Sequence, residues 1–110
     1  MISAAAAATE DRVFRALADP TRRRILDLLR ARPRTTGALC EGFGMTRFAV
    51  LKHLRVVRAA RLVLVRRRGR RRWNFLNPVP IRRMARRWIR PFEAERADAL
   101  LRLKRLVEAR

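Results

Sequence analysis

Between Thr35 and Arg58 the chain reads TTGALCEGFGMTRFAVLKHLRVVR, a pattern that few folds accommodate. Gly44-Met45 divides it into two short helical runs, the arrangement of a helix-turn-helix. Thr46 suits the N-cap of the second run, its hydroxyl accepting one of the backbone N–H groups left over in the first turn. Met45 before the cap and Val50 at the fourth helical position are placed to close a hydrophobic staple, which fixes how the chain joins the helix. At about 100° per residue, Val50, Leu54 and Val57 share one face, with Leu51 at its edge. Phe48, Lys52 and Arg55 share the opposite face, with Ala49 and His53 on the flank. An aromatic set between cations suits a solvated surface poorly. It suits a nucleic-acid groove well.

Charge narrows the partner. The sequence has 29 Lys and Arg against 9 Asp and Glu, a formal net charge of +20 over 110 residues. That much like charge works against a compact state at low salt and favours a polyanion, whether DNA, RNA or an anionic membrane surface. Nearly all the cations are Arg, which GC-rich coding alone can produce. Codon bias explains less easily why no acidic residue occurs between Glu41 and Glu93. The length fits one small domain whose core stays limited unless a second copy completes it. An apolar fraction of 49% argues against wholesale disorder. Cys40 is the lone cysteine, so no intrachain disulfide is available. The opening MISAAAAATE lacks the basic and apolar regions of a secretory signal, and no long uncharged span follows, so a cytoplasmic location is expected.

Taken in order, residues 1–8 form an Ala-rich lead expected to fray. Thr9 is placed to cap a first helix, with Glu10 and Asp11 in its first turn and Val13, Phe14, Leu17 and Ala18 as its buried stripe. Asp19 as cap and Pro20 at the first helical position open a second helix. There Ile25, Leu28 and Leu29 face the core, Arg22, Arg23 and Arg24 crowd the start, and Pro33 marks the stop. The third helix is expected at about Thr36–Phe43 and the recognition-like helix at about Arg47–Arg58. Leu62–Arg67 reads as a strand, RRGRR surrounds Gly69, and Trp73, Phe75 and Leu76 belong to a return strand. Trp73 and Phe75 fall on one face and Asn74 on the other, the alternation of a half-buried strand. A hairpin directly after a helix-turn-helix is a wing.

Asn77-Pro78-Val79-Pro80 is the clearest break. Beyond it Ile81, Met84, Ala85, Trp88 and Ile89 trace a helical face, which Pro91 must end or kink because it cannot donate the backbone bond. Phe92–Val107 is a last helix with Ala99, Leu100, Leu103, Leu106 and Val107 as its apolar face. So short a chain leaves that face little core to cover, and pairing with a second copy is expected. The chain divides into the lead (1–8), a winged helix-turn-helix core (9–77) and C-terminal dimerisation helices (78–110). The expected fold class is mainly α with a small β-hairpin wing, five to six helices, dimerising through terminal helices.

The segments ALADPTRRRILDLLR, TRFAVLKHLRVV, RRRGRRRWNFLNP and RWIRPFE, in this order, resemble the ArsR/SmtB family of bacterial winged-helix repressors, which act as homodimers. The likeness covers about residues 12–108. The C-terminal NPVPIRRMARRWIRPFE and ADALLRLKRLVE further resemble a branch of the family that does not sense metals. The resemblance implies that Thr46, Arg47, Phe48, Lys52 and His53 contact DNA, with Arg66, Arg67, Arg68, Arg70, Arg71 and Arg72 as the wing. It implies a dimer interface involving Val13, Phe14, Ala99, Leu100, Leu103 and Val107, and a place at the bacterial nucleoid. Family members usually carry Gly where Arg61 stands, at the end of the recognition helix. Losing the residue that tolerates positive φ costs about 1 kcal/mol or reshapes the turn. Arg58, Arg71, Arg86 and Arg90 also stand where less basic residues are common.

Other chemistry finds little support. The family's metal sensors use a Cys-x-Cys pair that aligns with Thr35 and Gly37, and their second site needs several His, whereas this chain has one. Cys40 and His53 alone cannot build a thiolate or imidazole cluster, so no metal and no cofactor are expected. Cys40 reads most simply as a small core residue. His53 suits either a DNA contact or a hydrogen bond at the helix edge, and Arg47 either a guanine fork or a phosphate. No nucleophile–base set or Gly-rich phosphate loop occurs, and no enzyme is expected. The resulting expectation is a DNA-binding repressor that acts as a homodimer on an inverted-repeat operator, with double-stranded DNA and its own second copy as partners and no assigned effector. A nucleoid-type protein that coats DNA without selectivity is the alternative. A third possibility, read from the basic RRMARRWIR segment, is a module for membrane surfaces or protein partners.

Overall fold

A computed structural model describes residues 2–109. Helix α1 spans Ala4–Leu17, and its start corrects the expected cap. Ser3 is the N-cap, accepting from the Ala6 N–H at 3.1 Å. Thr9 lies inside the helix and donates its hydroxyl to the Ala5 carbonyl at 3.0 Å. Alanine is the best helix former, so the run expected to fray instead lengthens α1. The buried stripe shifts as well. Val13 and Ala16 are buried, whereas Ala18 and Phe14 are exposed. Phe14 stands edge-on to Trp88 with ring centroids 6.5 Å apart.

Helix α2 (Pro20–Ala31) starts as its sequence requires, Asp19 accepting from the N–H groups of Thr21 at 2.8 Å and Arg22 at 3.2 Å. Of the arginines crowding this start, Arg22 and Arg23 serve α1, while Arg24 stacks over Phe43. Arg22 donates to the carbonyls of Ala16 (3.0 Å) and Arg15 (2.8 Å), and Arg23 to that of Leu17 (2.7 Å). These are last-turn carbonyls of α1, of which Arg15 also accepts from the capping Ala18 N–H at 3.2 Å.

Strand β1 (Arg34–Thr35) is a two-residue element that sequence periodicity does not reveal. Helices α3 (Thr36–Glu41) and α4 (Arg47–Ala59) form the helix-turn-helix, capped by Thr35 and Thr46 respectively. Strands β2 (Val63–Arg68) and β3 (Arg71–Leu76) form the hairpin, and β1 joins it to give an antiparallel sheet of order β1-β3-β2. Ile25, Leu39, Val50, Leu54, Val57 and Leu62 lie fully inside, so α2, α3, α4 and the foot of the wing share one core. Cys40 is half-buried and packs against that core.

The junction of α4 with β2 has a specific geometry. Arg61 adopts φ 62°, the only positive φ at a non-glycine among the described residues. Its N–H reaches the Arg58 carbonyl at 2.9 Å, and the Leu62 N–H reaches Val57 at 3.1 Å. That pair of bonds is a Schellman termination, with buried Leu62 supplying its hydrophobic contact.

At the C-terminus α5 (Val79–Met84) runs into a π-helical turn (Ala85–Ile89) and then α6 (Arg90–Glu108). Arg90 N–H bonds back five residues to Ala85. The wider turn absorbs Pro91, whose ring would strike a carbonyl in a regular helix. All of residues 91–109 are exposed. The molecule measures 69 × 33 × 22 Å with a radius of gyration of 18.9 Å, against about 13 Å for a compact chain of about this length. Helix α6 is an arm projecting from the domain.

Candidate nucleic-acid interface

Helix α4 divides as its periodicity requires. Val50, Leu54 and Val57 are fully buried, while Arg47, Lys52 and Arg55 are exposed and Phe48 is 76% exposed. Thr46 holds the cap, accepting from the Ala49 N–H at 3.1 Å. His53 is engaged at the helix edge, with Nδ1 3.3 Å from Arg22 Nη1 and 3.9 Å from Asp19 Oδ1. The Asp19 carboxyl lies below its ordinary range: burial acts to raise it, and the N–H groups of Arg22 and Thr21, with the charges of His53 and Arg22, outweigh that.

The wing closes in a two-residue loop, since Arg68 pairs with Arg71. Gly69 at φ 60° takes the first central position, where a hairpin turn of type II′ requires the left-handed region. Arg67 folds its Nε back onto the Gly69 carbonyl at 3.2 Å. The six wing arginines do not form one patch. Arg70, Arg71 and Arg72 border a cleft of about 600 Å³ shared with Arg47, Leu51 and the start of α3. Arg66 and Arg68 line a groove of about 360 Å³ with Pro33, Trp73 and Phe75 on the other face of the sheet, and Arg71, paired with Arg68, borders both sides.

The inward face of β3 is the opposite of what its aromatic content suggests. Asn74 is fully buried, whereas Phe75 is exposed and Trp73 only half-buried. Asn74 donates to the Arg34 carbonyl at 3.2 Å and to Thr36 Oγ1 at 3.1 Å. It accepts from Arg58 Nη2 at 2.9 Å, and the same nitrogen lies 3.3 Å from Thr36 Oγ1. An amide can face inward because every polar atom of its side chain is matched. Burial, then the nearby Arg72 charge, lowers the Arg58 guanidinium's affinity for its proton. Asn74 does not stand out by residue type, and Arg58 does so only as one of several positions more basic than is common in the family. The usable signals were a polar residue in mid-strand and a cation one turn after core Leu54.

With this geometry in view, the relatives are informative. A helix-turn-helix domain family matches residues 17–66. The transcriptional repressor SdpR of Bacillus subtilis (strain 168) is 37% identical over 65 residues, covering 59% of this chain and 72% of that protein. The solved structure of the ArsR-like transcriptional regulator from Rhodococcus sp. RHA1 superposes with a TM-score of 0.76 over 99% of both chains at 27% identity. A homodimeric winged helix-turn-helix DNA-binding domain from Mycobacterium bovis, a possible ArsR-family regulator solved by NMR, gives 0.62 over 93% of this chain and 88% of that one, also at 27% identity. The chain belongs to the ArsR family of winged helix-turn-helix transcriptional regulators. Within this ArsR-family chain, Thr35 caps α3 by accepting from the Ala38 N–H at 3.1 Å. No helix among the described residues is long and apolar enough to cross a membrane.

Proposed function

We propose that the chain is a repressor that binds an imperfect inverted-repeat operator as a homodimer, blocking DNA that polymerase needs. The observation that carries this is the solvent-facing surface of α4, where Phe48 stands out between Arg47 and Lys52 beside an arginine-lined cleft. The helix supplies the base-reading and phosphate-contacting positions Thr46, Arg47, Phe48, Lys52 and His53. The cleft admits a phosphate strand between α4 and the wing, where Arg70, Arg71 and Arg72 neutralise it. Two such helices about a dimer axis reach successive major grooves about 34 Å apart. Dimerisation rests on the exposed apolar face of α6 together with Phe14 on α1.

Sequencing genomic fragments retained by the protein, followed by footprinting, tests this reading. The expected result is a discrete protected site with inverted symmetry. Arg47→Ala with Phe48→Ala should weaken operator binding far more than binding to random DNA, each lost base contact being worth about 1–3 kcal/mol for the right sequence. Featureless coating, or equal losses on both DNAs, would make the protein a non-selective nucleoid component.

A further inference from the structure

We infer that Arg58 is a positioning residue that fixes the wing relative to the recognition helix, making base reading and wing contacts act as one unit. The inference deepens the operator-binding function proposed above and rests on it. Arg58 belongs to α4, Asn74 to β3 and Thr36 to α3, and Asn74 also holds the Arg34 carbonyl of β1. Four elements thus meet at two side chains. Beyond Asn74 the inner face of the hairpin carries Arg72 opposite Arg67, and the chain then leaves for the tip. Asn74 and its partner Val65 are therefore the last uncharged pair before the part of the wing that reaches toward DNA.

The chemistry is unusual for mere packing. Arg58 is a half-buried cation with no carboxylate within ion-pair distance among the described residues, and Arg72 adds repulsion. Its Nε is buried without a hydrogen-bond partner. Neutral acceptors alone hold it. An apolar residue of similar length would fill such a site at less electrostatic cost. Directed hydrogen bonds from one guanidinium nitrogen to two elements provide what an apolar contact does not: a defined angle between them.

Arg58→Met tests this, since it keeps the length and removes the donors. Amide hydrogen exchange reads the tether without DNA. The β1 and β3 amides around Trp73 and Asn74 should exchange at least about tenfold faster, while those of Ile25 and Leu29 in α2 stay unchanged. On DNA, the ratio of operator to random affinity should fall at least about tenfold, with the salt slope on random DNA unchanged. Arg58→Lys keeps a charge and a donor and should recover part of both losses. Adding Asn74→Ala to Arg58→Met should do little more than either alone. A salt slope reduced by about 0.9 per subunit would instead make Arg58 a phosphate contact. Unchanged sheet exchange in Arg58→Met would overturn the inference, as would faster exchange throughout the domain. If the wild type does not prefer its operator, the functional proposal fails, and the exchange data still decide the tether.

Discussion

Arg61 holds the left-handed turn between α4 and β2, at φ 62°. For an L-residue with a Cβ, that conformation costs about 1–2 kcal/mol. Both hydrogen bonds of the Schellman termination are nevertheless intact, and Asn77 Nδ2 donates to the Arg61 carbonyl at 2.9 Å. The turn keeps its shape and bears strain. Arg61→Gly should therefore stabilise the protein by about 0.5–1 kcal/mol, the gain reduced by glycine's greater freedom when unfolded. Urea unfolding at fixed protein concentration checks it, and a destabilised variant would show that the Arg61 side chain contributes more than its backbone costs. Asp19 offers a test in pH. Its carboxyl titrates lower in the folded protein than in the unfolded chain. The cap's contribution is thus fully present above the unfolded pKa of about 3.9 and disappears as pH falls through the lower folded value. Thermal melts should show wild type losing stability against Asp19→Asn in that acid window. Parallel curves would mean that the folded state gains nothing from the ionised form.

Among the elements, those fixed by local chemistry were legible in the sequence. Asp19-Pro20 opens α2, Thr46 opens α4, and the Val50, Leu54, Val57 stripe is buried, because caps and helical periodicity are written within a few residues. The hairpin was equally plain from Gly69 between Val-rich and aromatic runs. What escaped notice depends on distant partners. The strand β1 exists only because β3 pairs with Arg34 and Thr35. The inward face of β3 is decided by Thr36, Arg34 and Arg58, so the alternation alone does not say that Asn74 turns inward. The split of the wing arginines was hidden for the same reason, and it has a measurable consequence. Arg70→Ala with Arg72→Ala, at the cleft, should flatten the salt slope on random DNA by up to about two units per subunit. Arg66→Ala with Arg68→Ala, across the sheet beside Trp73, should change it by less than half as much. Equal effects would show that DNA wraps both faces of the wing.

Across the whole molecule, α6 is a helix without a core. Helices draw most of their stability from packing an apolar face, and isolated ones are marginal in water. Here Leu100, Leu103 and Val107 are 55%, 58% and 67% exposed on an arm that extends a 33 × 22 Å cross-section to 69 Å. Few monomers leave so continuous an apolar surface in water. The arm is anchored at one end only. There Glu10 of α1 receives Arg87 Nε at 3.3 Å and the Trp88 indole N–H, which ties the π turn to the domain. An arm fixed at its root and apolar along its length is suited to a symmetric contact, each copy presenting the same face. Leu103→Glu places a charge in the middle of that face. Sedimentation should then show monomers, and operator binding should fall sharply because the two recognition helices no longer act through one linked contact. Binding of the monomer to random DNA should fall much less, since the α4 surface and the wing are untouched. If Leu103→Glu stays dimeric, α1 with exposed Phe14 becomes the interface, and Phe14→Glu should dissociate what Leu103→Glu does not.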